Sequence, residues 1–436
     1  MPSLKLLFGL LTPAEGGHTR TALALADVLR QRGHDVSFVV SAATDTPGRP
    51  AAGTAALLRA GGFAVYRVTD PYATFGRPSF RESLRALVRR EAFDALHWFE
   101  IHAGVRGAAL VAASERCAFM WTVTSGGVPG GYYGLNRVAV YTSEVAADVQ
   151  RRSPRTEVHV LPARIDFRPL DATYVASART TIRARYGVGD EDLLVVRVAR
   201  CAGVYLRSIR AGVALARRLN ASGRRAVFLH AGYVEDVEAA DEIRRVVDDA
   251  NRTAERVFAH SVTGDLDAGT RYAAAADVCI ASGRSAIESL ALGRPTLVAW
   301  GSRVLGLVDD TNIEAMAGTN FQGRDAAKVP SDEAMAAGME RALAARLSAP
   351  AEERARVHEA CARFVRARYS VERAAEIYEA LYGDRTVTVE GGLACYGNVR
   401  HVGREVFYRL PSGLRYSRAV NFLRRTQWWP GLAGTD

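Results

Sequence analysis

This sequence predicts an α/β fold: two Rossmann-like, doubly wound domains in tandem, with a cleft between the carboxyl ends of their strands. Three observations carry that prediction. Short apolar runs alternate with amphipathic helical stretches along most of the chain. The alternation is interrupted once, where Pro162 and Pro169 break the period, and then starts again. Finally, the apolar run ADVCI leads into the small-residue turn ASGRSAIESLALGRP, so a buried strand opens onto a helix N-terminus where a parallel sheet binds its ligands.

In chain order, LKLLFGLL reads as a first strand. GGHTRTALALADVLRQRGH follows as an amphipathic helix with Leu23, Ala26 and Leu29 on one face, and DVSFVV as a second strand, making a βαβ unit. FAVYRV, FDALHWFEIH, CAFMWTVTS and RVAVYTS continue the strands, with SFRESLRALVRREA as a helix between the first two. Residues 1–165 form the first domain and 166–190 a linker. The second domain, 191–365, repeats the alternation: strands DLLVVRVAR, RAVFLHAG, RVFAHS, DVCIAS and PTLVAWG, and helices SIRAGVALARRLNASG, DVEAADEIRRVVDDANRT, GTRYAAAA and AIESLALG. SDEAMAAGMERALAARL and a long pattern ending in FVRARYSVERAAEIYEALYGD are helical, with 366–384 crossing back to the first domain.

The bulk composition is that of an ordinary water-soluble globular protein. It has 436 residues, 48% hydrophobic and 24% charged, with 57 Lys+Arg against 47 Asp+Glu. Arginine supplies most of the excess of +10, but no basic run interleaved with aromatics lies in the main body, which argues against nucleic acid as a partner. Five cysteines without CxxC spacing support neither a disulfide framework nor a zinc site and suit a reducing cytosol. No signal peptide or membrane-spanning run is present. The tail, residues 385–436, is different. Its eight arginines face three acids, and Arg415, Arg418, Arg424 and Arg425 alternate with apolar residues up to Trp428 and Trp429. That composition suits either peripheral contact with an anionic membrane face or packing of the aromatics on the body.

Site candidates follow from position. The amides of Ser282, Gly283 and Ser285, with Arg284 beside them, suit a diphosphate, and Glu288 one turn into the helix suits two ribose hydroxyls. Gly16 and Gly17 allow close backbone approach at the first strand-helix turn. Arg200, at the end of VRVAR, and Arg207 are cations for a leaving diphosphate. His18, Glu100, Thr124 and Ser125 lie at first-domain strand ends on the acceptor side. His102 is a candidate catalytic group there, whereas His97 sits at a buried phase. No DxD triplet stands at a strand end, so neither a metal nor another cofactor is expected, the nucleotide sugar being a co-substrate.

Several of these stretches fall in the order seen in the GT-B glycosyltransferases of family 4. They are the glycine pair followed by LADVLRQRGHDV, the linker LPARIDFRPL, VRVARC, ADVCIASGRSAIESLALGRP and FVRARYSVERAAEIYEALY. The resemblance covers roughly residues 1–384. It implies transfer of a sugar from a nucleotide-diphosphate donor to an acceptor hydroxyl, with retention and without metal, the acceptor being sugar-containing, lipid-linked or a small molecule. Arg200 then matches the family's donor-phosphate arginine and Glu288 the second of its two glutamates. Ile280 stands at the first glutamate, Tyr205 replaces the accompanying lysine with Arg207 as stand-in, and Thr124 occupies the place of a histidine beside the transferred sugar. The turn also resembles that of MurG-like transferases and of non-hydrolysing UDP-N-acetylglucosamine 2-epimerases, so an epimerase and a non-catalytic sugar-nucleotide-binding protein stand as alternatives.

Overall fold

A computed structural model describes residues 2–11, 17–41, 51–69, 79–99, 104–124, 135–162, 164–252, 254–263, 268–323 and 326–387. The tail from residue 388 onward, with its arginines and tryptophans, lies outside them, as do Gly16, Glu100, His102 and Ser125. The chain divides into two compact units, one of residues 1–14, 29–161 and 377–436 and the other of residues 15–28 and 162–376.

The first sheet and its helices run β1 (Lys5–Gly9), α1 (Gly17–Gln31), β2 (Asp35–Ser41), α2 (Ala51–Ala60), β3 (Ala64–Val68), α3 (Phe80–Glu91) and β4 (Ala95–Trp98). They continue with α4 (Val105–Glu115), β5 (Ala118–Val123), β6 (Arg137–Val140), α5 (Ser143–Arg152) and β7 (Glu157–Val160). The seven strands are ordered β3-β2-β1-β4-β5-β6-β7 and every pairing is parallel. A parallel sheet is covered on both faces, which is why β5 is buried along its whole length. Local signals agree with the global pattern. Ser79 and Glu82 close a reciprocal capping box at the start of α3, holding two amides that the first turn would otherwise leave open.

The second unit runs α6 (Ala172–Arg185), β8 (Leu193–Val198), α7 (Leu206–Ala221), β9 (Ala226–Gly232), α8 (Val237–Arg252), β10 (Ala259–Thr263), α9 (Ala268–Ala275) and β11 (Val278–Ala281). After these come α10 (Arg284–Ala291), β12 (Thr296–Trp300), β13 (Arg303–Leu307), α11 (Ile313–Gly318), α12 (Asp332–Ser348), α13 (Ala351–Tyr369) and α14 (Val371–Tyr382), whose last six residues belong to the first unit. Its sheet order is β10-β9-β8-β11-β12-β13. Only β13 is antiparallel, and it leaves the register through a bulge at Val298 and Ala299. Strand order reverses at β1/β4 in the first sheet and at β8/β11 in the second. At such switch points, flanking helices diverge and leave a crevice at the strands' carboxyl ends.

The structure departs from the sequence reading in four places, the first being β7, a strand where none was expected. The expected linker, 166–190, contains α6, which Asp171 caps by accepting from the Tyr174 amide at 2.7 Å. The two prolines precede the helix rather than prevent it. The long C-terminal helical pattern is two helices, α13 and α14, separated at Ser370, whose extended backbone pairs with Ile165. The strand β13 and helix α11 follow PTLVAWG where no element was expected. The four described cysteines are free and buried, with no disulfide among them.

His97 is a structural residue, as its phase suggested. Fully enclosed on β4, it sits 2.6 Å from the Tyr382 hydroxyl through Nδ1 and 2.7 Å from Thr122 Oγ1 through Nε2, and Thr122 in turn lies 2.9 Å from the Tyr378 hydroxyl. Burial drives its pKa well below 6.5, and burial likewise lowers that of His230 on β9 to about 4. Both rings are neutral in the folded state. As pH falls below about 6.5, the unfolded chain takes up protons that these rings refuse, so stability is intact above that pH and is lost progressively toward pH 4. His97→Phe orphans the Tyr382 hydroxyl and is expected to cost about 1–3 kcal/mol at pH 7.5. It should also reduce the acid-side loss by up to about 1.4 kcal/mol per pH unit. Denaturant titrations at pH 7.5 and 5 check both; an unchanged pH dependence would contradict the neutral-ring assignment.

Candidate functional site

The carboxyl ends of β8 and β11 carry the chemistry. Parallel pairing places Ile280 opposite Arg197, so β8 and β11 end on the same edge of the sheet as neighbours, one strand spacing of ~4.8 Å apart, while residues 199–201 continue alongside the extension of β9. Ser285 Oγ lies within hydrogen-bond reach of the carbonyls of Ser282, at 3.0 Å in its own turn, and of Val198, at 3.3 Å across that gap. Arg200 and the Ser282–Ser285 turn thus follow the two neighbouring strands at the switch point.

The turn is built around Gly283. Its φ of 57° and ψ of −130° lie in a region that side chains with a Cβ rarely adopt, and a Cβ there would meet nothing nearer than Gln322 Cγ at 4.0 Å. Among the described residues, nothing closer covers that position. Of the three amides expected to hold a phosphate, two are already used: Gly283 N–H donates to the Phe321 carbonyl at 2.8 Å, and Ser282 N–H to Ser285 Oγ at 3.3 Å. The amide of Ser285 remains, joined by that of Arg284; neither has a partner among the described residues. These are the first two N–H groups of α10, at the positive end of its dipole. The loop that receives Gly283 is itself strained, because Asn320 and Phe321 both hold left-handed φ, 52° and 55°, and the Asn320 Oδ1 is buried without a partner.

Glu288 lies on the buried face of α10. Arg284 Nε donates to its Oε1 at 2.7 Å and Thr270 Oγ1 to its Oε2 at 3.0 Å. Arg284 Nη1 continues to Thr21 Oγ1 at 3.3 Å and the Arg164 carbonyl at 3.0 Å, all within the second unit. Gly17 belongs to the same group, since a Cβ on it would come 3.6 Å from Arg284 Cδ.

Arg200 is partly exposed and pairs with Glu235 at 2.8 Å, with its guanidinium 5.6 Å from the Tyr205 ring centre. Burial opposes its charge, but Tyr205, Glu235 and Tyr233 outweigh burial and hold its pKa above the usual range. An ion pair this exposed holds it weakly, so an incoming anion can compete for it. His18, expected on the acceptor side, sits within the electrostatic reach of Arg200. Burial first, and then that cation, lower its pKa to about 4, so it is a neutral hydrogen-bonding group at pH 7.

One expected residue of the second unit is not brought here. Arg207 is committed elsewhere: Nε to Asp332 at 2.9 Å, and its two terminal nitrogens to the Val329 and Pro330 carbonyls at 3.1 and 2.9 Å. It fixes the start of α12, so the role of stand-in cation is not carried forward. Thr124, in the first unit, donates to the Phe99 carbonyl at 3.2 Å. Conversely, the sequence reading missed Arg197. Fully buried on β8, it donates to Ser208 Oγ at 3.0 Å and to the carbonyls of Val198, Ile280 and Ala299 at 3.2, 3.1 and 3.3 Å, and it stands 5.4 Å from the Tyr205 ring. No carboxylate among the described residues pairs with it, and burial lowers its pKa to about 10. The signal that marks it in the sequence is a charged residue inside an otherwise apolar strand, LLVVRV.

A surface hollow of about 570 Å³ lies elsewhere in the second unit, lined by Phe167, Arg168, Asp171, Arg366 and Glu372. It is removed from the strand ends, and Arg366 there is already bonded to the Leu170 and Ala291 carbonyls. Among the described residues no cluster of three or more His, Cys, Asp or Glu is placed to hold a metal ion, and no helix is long and apolar enough to cross a membrane.

No family model and no curated protein matches the sequence. Solved structures do. A glycosyltransferase from Rickettsia africae aligns with a TM-score of 0.65 at 12% identity, over 88% of this chain and 99% of that one. HepE from Anabaena, solved in complex with UDP and glucose, aligns with a TM-score of 0.61 at 14% identity, over 87% and 99%. A putative UDP-N-acetylglucosamine 2-epimerase from Listeria monocytogenes aligns less well, with a TM-score of 0.50 at 12% identity, over 87% and 96%. The fold is therefore that of the GT-B enzymes, two sheets of parallel strands flanked by helices.

Proposed function

We propose that this chain is a glycosyltransferase of the family 4-like, retaining kind. It moves a sugar from a nucleoside-diphosphate donor to an acceptor hydroxyl, without a metal. One observation supports the reading: Arg200 follows β8 and the Ser282–Ser285 turn follows the neighbouring strand β11 at the switch point of the second sheet, with the amides of Arg284 and Ser285 unpartnered among the described residues and Glu288 one turn into α10. The likeness to HepE, solved with UDP and glucose, makes UDP the first nucleotide to test.

In this reading the diphosphate lies over the two α10 amides, Glu288 accepts from the ribose hydroxyls, and Arg200 faces the phosphate that leaves. As the bond between the anomeric carbon and the phosphate oxygen breaks, its electron pair passes to the diphosphate. A guanidinium and a helix N-terminus already in place stabilise that charge without reorganisation. The departing phosphate oxygen accepts the proton of the attacking hydroxyl. His18, neutral at working pH, serves as a hydrogen-bonding group beside Arg200 rather than as an acid.

A thermal-shift panel of UDP, GDP, ADP, TDP and CMP with their sugars tests the donor site, because a ligand that binds only the native state stabilises it by about 2.7 kcal/mol at one hundred times its Kd. One nucleoside diphosphate should raise Tm. Glu288→Gln, which weakens charge-assisted bonds to the ribose, should lower its affinity by about tenfold or more. If no diphosphate shifts Tm, the donor-site assignment is wrong. The GRSAIESLALGRP turn also fits a 2-epimerase; appearance of deuterium at sugar C-2 in heavy water, without transfer, would select that alternative.

A further inference from the structure

Building on the donor-site reading above, we propose that Arg284 is a specificity-determining residue: it opens the Glu288 carboxylate to a nucleoside only when that nucleoside carries a diphosphate. Both carboxylate oxygens are engaged, Oε1 by Arg284 Nε at 2.7 Å and Oε2 by Thr270 Oγ1 at 3.0 Å, and Glu288 is only 7% exposed. Two ribose hydroxyls cannot both reach this carboxylate while the guanidinium covers Oε1. The guanidinium is also anchored at its far end, through Nη1 to Thr21 Oγ1 and the Arg164 carbonyl.

Arg284 is at the same time the first residue of α10, so its own amide and that of Ser285, unpartnered among the described residues, form the seat for a phosphate. The two arrangements of its side chain are thus near neighbours, one paired with Glu288 and one folded toward an anion on the helix N-terminus. A bare nucleoside that displaces Arg284 from Glu288 strands a largely buried cation with only neutral acceptors. A nucleoside diphosphate supplies the replacement anion, and a guanidinium and a phosphate bond in a paired, planar geometry. The exchange conserves charge: Glu288 passes from a cation to two hydroxyl donors, and Arg284 from a carboxylate to a phosphate.

Calorimetric titration of the full chain with matched pairs, UDP and uridine, GDP and guanosine, ADP and adenosine, reads the exchange directly. Arg284→Met should cut the preference for diphosphate over nucleoside by about tenfold to hundredfold. The nucleoside itself should bind more tightly than to the wild type, because Glu288 is then uncovered. Arg284→Gln, polar but uncharged, should give the same pattern and stands in if the Met variant does not fold. Nucleoside affinity that is unchanged or weaker in both variants means a static pair and overturns the proposal while leaving the donor site intact. A wild-type chain that binds none of the diphosphates overturns both readings at once.

Discussion

Arg200→Ala is expected to lower the turnover of the nucleotide-sugar donor by about 10²–10³-fold, the usual consequence of removing one preorganised group from a developing negative charge. Arg200 lies two residues past the end of β8, and its charge is secured by Tyr205, Glu235 and Tyr233 acting against burial. The substitution removes no buried side chain, and the surrounding fold keeps its own anchors: Cys201 N–H to the Tyr233 carbonyl at 2.8 Å and Asp236 N–H to the Cys201 carbonyl at 3.0 Å. Tm should therefore move little while the rate collapses. Donor hydrolysis or transfer, measured beside a melting curve, separates the two effects. Loss of stability in step with activity would make Arg200 a structural residue, full activity in the variant would remove Arg200 from the donor site, and a wild type that turns over no donor would leave a non-catalytic sugar-nucleotide-binding protein as the better description.

Gly232→Ala should be the most disruptive single methyl group in the second unit. A Cβ at this last residue of β9 would lie 1.8 Å from the Ala199 carbonyl oxygen and 3.0 Å from the Arg200 nitrogen. Both are backbone atoms, so no rotamer change relieves the clash. β8 and β9 must separate where they present Arg200, and the bond from His230 Nε2 to the Ala199 carbonyl, 2.8 Å, is strained with them. Overpacking in a close-packed sheet costs about 1–3 kcal/mol and more where backbone must move. We expect Gly232→Ala to exceed about 3 kcal/mol, enough to lower Tm by several degrees and to abolish donor binding in what remains folded. A variant as stable as the wild type would show that this strand end is looser than its geometry states.

Much of this architecture was legible in the chain. DLLVVRVAR, RAVFLHAG, DVCIAS and PTLVAWG became β8, β9, β11 and β12, because fully buried parallel strands write themselves as unbroken apolar runs. The turn at Ser282–Ser285 and the place of Glu288 were also readable, since a strand, a glycine and a helix fix where the amides point. Partners across the fold were not. Nothing local says that Gly283 N–H is consumed by Phe321, thirty-eight residues away in sequence, or that Arg207 is taken by Asp332. In a sequence this rich in arginine, residue type alone cannot separate a cation held for a ligand from one that fastens a helix. Arg200 and Arg207 differ only in what the fold sets against them. The helix α6 was hidden for a different reason: Pro162 and Pro169 dominate the local pattern, whereas the Asp171 cap that starts the helix is a single side chain.

Arg197 has one further consequence. Its guanidinium gathers three carbonyls from β8, β11 and β12, so the rim of the second sheet presents a permanent positive field in place of the ring of bare oxygens that strand ends ordinarily offer. Because dipoles rather than an acid satisfy it, nothing has to be broken when an anion arrives and nothing is stranded when it departs. A buried cation held this way draws an anion toward the strand ends with no ion pair competing for it, a property that would serve the donor site proposed above.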